Sequence, residues 1–235
     1  SDRARAIEIF RQLTPADWRW IARFYDSNIR AFDESLAGFL DGLDRRGRLE
    51  NTLVVLTADH GESLGEDGAG SHFDSSLREA VLRIPLILWW PARLSPADIE
   101  APVSQTDVFP TVLSLAGISP RLPIPIQGES LLAPREDREI LAEFWDESRE
   151  RFSRAIYYDG LKLIVPSSGG RLLFDPVRDP AEEDDLAVRM PDLADAMQAR
   201  LEKAVASLSK GKLRIDEKEK RRRLDLLRSL GYISP

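Results

Sequence analysis

The stretch from Asn51 to Pro91 constrains the fold more than any other. It opens with Thr52-Leu53-Val54-Val55-Leu56-Thr57, a short apolar run rich in β-branched residues that reads as a strand covered on both faces. The run stops at Asp59-His60-Gly61-Glu62 and leads through Gly65, Gly68 and Gly70 to His72. A second apolar run, Ile84 to Trp90, closes the unit. The sequence holds only two histidines, and both flank this one loop. In an open α/β sheet ligands bind beyond the carboxyl ends of the strands, which is where Asp59 and His60 fall.

A carboxylate beside a neutral imidazole offers two lone pairs to a divalent cation, and Gly61 lets the backbone turn away without a Cβ clash. Two neighbours do not complete a site, because hard cations take about six ligands and zinc about four. Further ligands have to come from elsewhere. The plain alternative is a polar turn in which Asp59 caps a loop amide and His60 is a hydrogen-bonded loop residue.

The wider pattern carries a resemblance. Asn51 to Glu62, the glycine-rich loop with His72, and Leu82-Arg83-Ile84-Pro85-Leu86-Ile87-Leu88-Trp89-Trp90-Pro91 resemble the carboxyl-terminal half of the sulfatases, members of the alkaline phosphatase superfamily. The likeness continues through Val103 to Leu113, Leu115-Ala116-Gly117-Ile118 and Gly128-Glu129-Ser130-Leu131. It extends more faintly to Leu173-Phe174-Asp175-Pro176, Asp179-Pro180-Ala181-Glu182 and Leu230-Gly231-Tyr232. Upstream, Tyr25 to Ile29 with Asp33 fits the family's helix before this strand.

That resemblance implies an α/β chain, part of an alkaline-phosphatase-like sandwich in which a mostly parallel sheet is flanked by helices. A small antiparallel α+β subdomain would follow. Residues 1–135 would belong to the catalytic domain, 136–210 to the subdomain and 211–235 to a helical tail. It assigns metal binding to Asp59 and His60, and a catalytic contact with the sulfate or the leaving oxygen to His72. Calcium is the implied ion; a nitrogen ligand from His60 keeps manganese, magnesium and zinc open. The implied substrate is a sulfate-ester or phosphate-ester small molecule or glycan, handled in the periplasm or outside the cell.

The family's nucleophile lies in a Cys/Ser-x-Pro-x-Arg motif whose cysteine becomes formylglycine. This chain has no cysteine. Its two Pro-x-Arg triplets, Pro91-Ala92-Arg93 and Pro176-Val177-Arg178, carry Trp89 and Phe174 at the nucleophile position, and Ser119-Pro120-Arg121 has the wrong spacing. The expectation is therefore a carboxyl-terminal half that is catalytically silent alone, its formylglycine residue lying in an upstream segment. Two alternatives share the sequence: a phosphoryl or phosphonate ester enzyme of the same superfamily, and a non-catalytic interaction module.

Around this centre, Thr14-Pro15-Ala16-Asp17 predicts a helix start with a threonine cap and proline at the first position. Trp18, Ile21, Tyr25, Ile29, Phe32, Leu36, Leu40 and Leu43 then form an apolar stripe expected to cover a sheet face. Ser75 to Leu82 suits a short helix, and Arg83 an ion pair. Thr106 or Asp107 is expected to cap a helix through Leu115 that ends at Gly117. Four short strands follow, near 140–144, 154–158, 162–165 and 171–174, with Asp159-Gly160 as a tight hairpin turn. Pro191 starts an amphipathic helix through Leu208, and Glu182-Glu183-Asp184-Asp185 reads as a solvated loop. Glu217 and Glu219, four residues before Arg221 and Arg223, predict a solvated helix whose Leu224, Leu227 and Leu230 side docks on the body or on another copy, as in a homo-oligomer. A net charge of -7 argues against nucleic acid or an anionic membrane as partner, and no apolar run approaches the ~20 residues of a membrane span.

Overall fold

The computed structural model describes residues 8–10, 12–66, 77–121, 126–146, 151–208, 221–222 and 224–225. His72, the prolines at 123 and 125, and most of the terminal helix expected around Lys218 to Leu230 lie outside the described residues. The chain divides into two compact units, Ser1–Val103 with Ala133–Gln198, and Ser104–Leu132 with Ala199–Pro235.

In the first unit, helix α1 (Pro15–Asp44) starts where the sequence places it. The Thr14 hydroxyl accepts from the Asp17 amide at 3.3 Å, and the Asp17 carboxylate accepts from the Thr14 amide at 2.8 Å. This reciprocal box satisfies two backbone donors that have no partner inside the helix. Hydrogen bonds from the Thr14 hydroxyl and amide hold the Asp17 carboxyl below the usual carboxylate range. The apolar stripe is present, yet its middle is not buried: Tyr25, Ile29 and Phe32 are 39%, 54% and 56% exposed. Periodicity reports which face of a helix is apolar; it does not report whether an element lies against that face.

Strand β1 (Val54–Thr57) pairs antiparallel with β2 (Leu86–Trp89), from Val54↔Trp89 to Thr57↔Leu86. The expected double-sided burial is not found: Val54, Val55 and Leu56 are half-buried and Thr57 is exposed. Burial alternates along β2, with Ile87 and Trp89 outward. No parallel pair occurs among the described residues, whose sheets are this ribbon and one four-stranded sheet. A continuous apolar run is compatible with one covered face or two, and only neighbouring chain decides which. Pro85 falls one residue before the first paired position, so its missing N–H breaks no ladder bond.

The four-stranded sheet is an antiparallel meander of β3 (Ile140–Asp146), β4 (Arg151–Tyr158), β5 (Leu161–Pro166) and β6 (Leu172–Phe174). At the β4–β5 turn Asp159 and Gly160 both take the left-handed backbone, φ 52° and 74°. Two successive positive φ values are what a two-residue type I′ hairpin requires. Ala155, Ile164 and Phe174 on one face form a core cluster with Leu77, and Leu82, Ala142, Phe144 and Leu172 pack against it. Ile156, Leu163 and Leu173 on the opposite face are fully buried as well. Arg171, before β6, fastens helix α4 (Pro191–Leu208) through the Asp195 carboxylate and the Gln198 carbonyl. Neither of the long helices is apolar enough to cross a membrane.

The second unit contains helix α3 (Val108–Ala116), preceded by a 3₁₀ turn over Gln105–Asp107. Asp107 is the N-cap of α3, as expected, but makes no side-chain cap bond to it. The side-chain box belongs to the 3₁₀ turn, where the Ser104 hydroxyl accepts from the Thr106 amide while the Asp107 carboxylate accepts from the Ser104 amide. Gly117 closes α3 in the left-handed region, φ 69°, as expected. Fully buried Asp107 also receives the Glu129 amide at 2.8 Å, and Thr111 Oγ1 receives the Leu131 amide at 2.8 Å. Gly128, φ 90°, is needed there, since a Cβ would sit 2.3 Å from the Thr106 carbonyl oxygen.

Candidate functional site

Asp59 and His60 sit just past the carboxyl end of β1, both exposed. Asp59 Oδ1 accepts from the His60 backbone amide at 3.0 Å, which turns Oδ2 toward the imidazole. His60 Nδ1 lies 2.7 Å from the Gly61 carbonyl oxygen. A carbonyl can only accept, so Nδ1 carries the proton and Nε2 presents its lone pair. Nε2 and Asp59 Oδ2 are 3.9 Å apart. Two donors at that separation can both reach a point about 2.0–2.4 Å from each, the range of metal–nitrogen and metal–oxygen bonds. The fit is that of a half-site: no group of three or more candidate ligands gathers among the described residues.

The segment after β1 is held from two sides. Gly65, φ 99°, rests on the Trp18 ring of α1, where a Cβ would come within 2.6 Å of the indole. Gly61 donates its amide to the Val81 carbonyl at 2.7 Å, and a Cβ on Gly61 would stand 2.2 Å from the Ala80 oxygen. Val81 belongs to the one-turn helix α2 (Glu79–Leu82). His72, expected to make the catalytic contact, is outside the described residues.

Sequence reasoning missed the charged cluster behind α2. Lys162 points inward from β5, between its cross-strand neighbours Tyr157 and Phe174, and is fully buried. Its Nζ donates to Glu79 Oε1 at 2.8 Å and to the Leu77 carbonyl at 3.1 Å. Glu182 Oε1 lies 2.5 Å away, a close ion pair outside the aligned hydrogen-bond direction. The Tyr157 hydroxyl donates to Glu79 at 2.5 Å; burial, then the Glu79 and Glu182 charges, push its pKa far up. Glu182 is therefore not part of a solvated acidic loop: it is 3% exposed, and its Oε2 caps α2 through the Glu79 amide. Arg83, expected as an ion-pair partner, is exposed. Arg78 takes the structural role, donating to the Glu182 carbonyl at 2.7 Å with its guanidinium 4.5 Å over the Phe174 ring. The available signal was a lysine at an inward position of an otherwise apolar strand.

Comparison with known proteins agrees with this architecture. The family model named Sulfatase matches residues 5–118. An ulvan-active sulfatase of Formosa agariphila is 28% identical over 198 residues, covering 78% of this chain and 38% of that protein. A choline-sulfatase of Rhizobium meliloti is 31% identical over 180 residues, covering 74% of this chain and 35% of that one. The chain thus spans well under half the length of these curated relatives. Among solved structures, a phosphonate monoester hydrolase of Agrobacterium radiobacter superposes with a TM-score of 0.63 at 21% identity, over 85% of this chain and 43% of its own. With the matched segment holding β1, the Asp59–His60 pair, β2 and α3, the chain belongs to the sulfatase family of the alkaline phosphatase superfamily.

Proposed function

We propose that this chain is the carboxyl-terminal part of a metal-dependent sulfatase, a sulfuric ester hydrolase, and supplies half of its metal site. The observation that carries the reading is the convergence of Asp59 Oδ2 and His60 Nε2, 3.9 Å apart, with the imidazole tautomer fixed by the Gly61 carbonyl. Asp59 and His60 hold one divalent cation; calcium is the ion favoured by family, with manganese, magnesium and zinc as alternatives. When bound, such an ion polarises ester oxygens and favours the deprotonated form of a nearby hydroxyl nucleophile. His72 orients the sulfate or gives a proton to the departing alkoxide. The substrate is a sulfate ester, of a small molecule or a glycan.

The nucleophile, a formylglycine, comes from sequence outside this chain, which on its own is silent. Two facts support the partial reading: the chain covers only 38% of the Formosa relative, and α1 keeps Tyr25, Ile29 and Phe32 exposed, as a helix whose covering layer is elsewhere would. A phosphonate or phosphate ester is the second reading, favoured by the likeness to the Agrobacterium hydrolase.

Calorimetric titration of the chain with Mn²⁺ and Ca²⁺ tests the metal site. Binding is expected, and Asp59→Ala should weaken it at least as much as the 10–100-fold typical of lost outer-shell partners. Equal binding by both proteins overturns the site. Joined to an amino-terminal sulfatase segment, the chain should release sulfate and not phosphate from matched aryl esters; the reverse preference selects the second reading.

A further inference from the structure

We propose that Lys162 is a positioning residue for the Asp59–His60 pair: it clamps the Leu77–Leu82 segment onto the four-stranded sheet, and that segment holds Gly61. The inference rests on the metal reading above for its functional meaning, while its mechanical part stands on the contacts alone.

The chain of contacts is continuous. Gly61, next to the ligands, is bonded to Val81 and has no room to move toward Ala80. Val81 is one turn of a four-residue helix, too short to hold its shape unaided. Its first residue, Glu79, is tied at three points: its amide to Glu182 Oε2, and its carboxylate to both Lys162 Nζ and the Tyr157 hydroxyl. Lys162 also donates to the Leu77 carbonyl and faces the Glu182 carboxylate. Leu77 and Glu182 both occupy the left-handed region, φ 45° and 56°, without being glycine. Such backbone persists only where its surroundings over-determine it, and Lys162 touches both residues.

A lysine serving only the sheet would need one carboxylate beside it. Here its side chain joins three segments that are distant in sequence, around residues 77–79, 157 and 182, and one of them abuts the candidate ligands. An apolar side chain of similar length could fill the space but could not fix where Glu79 and Leu77 lie.

The test compares Lys162→Met with Leu163→Ala, which empties a buried position on the other face of the same strand. In the full 235-residue chain, NMR hydrogen exchange of the Gly61 amide and calorimetric Mn²⁺ affinity are measured beside global unfolding. Lys162→Met should lower Gly61 protection at least tenfold more than Leu163→Ala at matched global stability, and should weaken Mn²⁺ by the 10–100-fold typical of a lost outer-shell partner. Equal Gly61 protection in the two variants overturns the proposal, because the lysine would then be only one more packed side chain. Should Lys162→Met fail to fold, Tyr157→Phe, which removes one bond to Glu79, is read against the same control by the same two criteria. If the unaltered chain binds no Mn²⁺, the metal reading fails, and Gly61 protection still decides whether Lys162 acts on this segment.

Discussion

Gly61 and Val81 share one backbone hydrogen bond of 2.7 Å at the point where the candidate ligands meet the rest of the unit. The contact is so close that it excludes a side chain: a Cβ would fall 2.2 Å from the Ala80 carbonyl oxygen, and backbone cannot swing aside as a side chain can. Gly61→Ala must therefore push β1 and α2 apart. Overpacking of this kind costs roughly 1–3 kcal/mol. Chemical denaturation should show a loss in that range, and Mn²⁺ affinity should fall with it. A substitution that leaves both unchanged would mean that Gly61 and Ala80 are not in contact.

Removing the Lys162 charge leaves the Glu79 and Glu182 carboxylates facing each other in a site where their side chains are 13% and 1% exposed. Breaking a buried ion pair from one side costs about 3–5 kcal/mol, far more than the pair contributes over an apolar replacement. Lys162→Met should therefore lose roughly that much in urea unfolding. The triple change Lys162→Met, Glu79→Gln, Glu182→Gln should recover much of it, since it removes the stranded charges together.

Tyr157 gives the same cluster an alkaline signature. Its hydroxyl is buried and bonded to the Glu79 carboxylate, so the folded chain holds the proton well above the ordinary value of 10.0. Below that value the phenol is neutral in both states and costs nothing. As pH rises above it, only the unfolded chain ionises, so stability falls, by about 1.4 kcal/mol per pH unit for this one group. Urea midpoints measured at pH 9, 10 and 11 should drop more steeply for the unaltered chain than for Tyr157→Phe. Parallel slopes would place the hydroxyl in water.

What the sequence revealed follows the range of the interactions involved. Thr14-Pro15-Ala16-Asp17, Asp159-Gly160 and Pro191 each signal structure through neighbours within a few residues, and each element begins or turns there. The β3–β6 meander was legible for the same reason. Lys162 and Glu182 were not, because their meaning comes from a contact across 20 residues and from Glu79, 83 residues away. Read locally, Glu182 is one acid in an acidic run. The exposed middle of α1 has a related cause: an apolar stripe looks identical in sequence whether or not something lies upon it. At the candidate site the adjacency of Asp59 and His60 was visible, whereas the Gly61 carbonyl that selects the imidazole tautomer was not.

The start of α1 should respond to acid. Asp17 accepts from the Thr14 amide and hydroxyl, bonds that hold its carboxyl below the ordinary value of 3.8. A carboxylate shifted down stabilises the fold above its unfolded value, and that contribution disappears as pH falls through the folded value. Circular dichroism at 222 nm should therefore lose helical signal on acidification below about pH 4, the ordinary carboxylate region. Thr14→Ala should show weaker signal at neutral pH and a flatter acid response, because the box is already broken.

Phe32 tests the exposed stripe. It is 56% exposed on a face flanked by Ile29 and Tyr25, so it makes little of the contact that a core aromatic would lose on truncation. A buried phenylalanine cut to a small residue typically costs about 3–5 kcal/mol, whereas a surface change stays within about 0.5 kcal/mol. Serine and phenylalanine have similar helix propensity, so Phe32→Ser leaves the helix itself nearly unaffected. The urea midpoint should therefore hold, while binding of an apolar dye and self-association at high concentration should both decrease. A loss of several kcal/mol would mean that this face is already covered within the 235-residue chain, and would remove the support it gives to a covering layer from elsewhere.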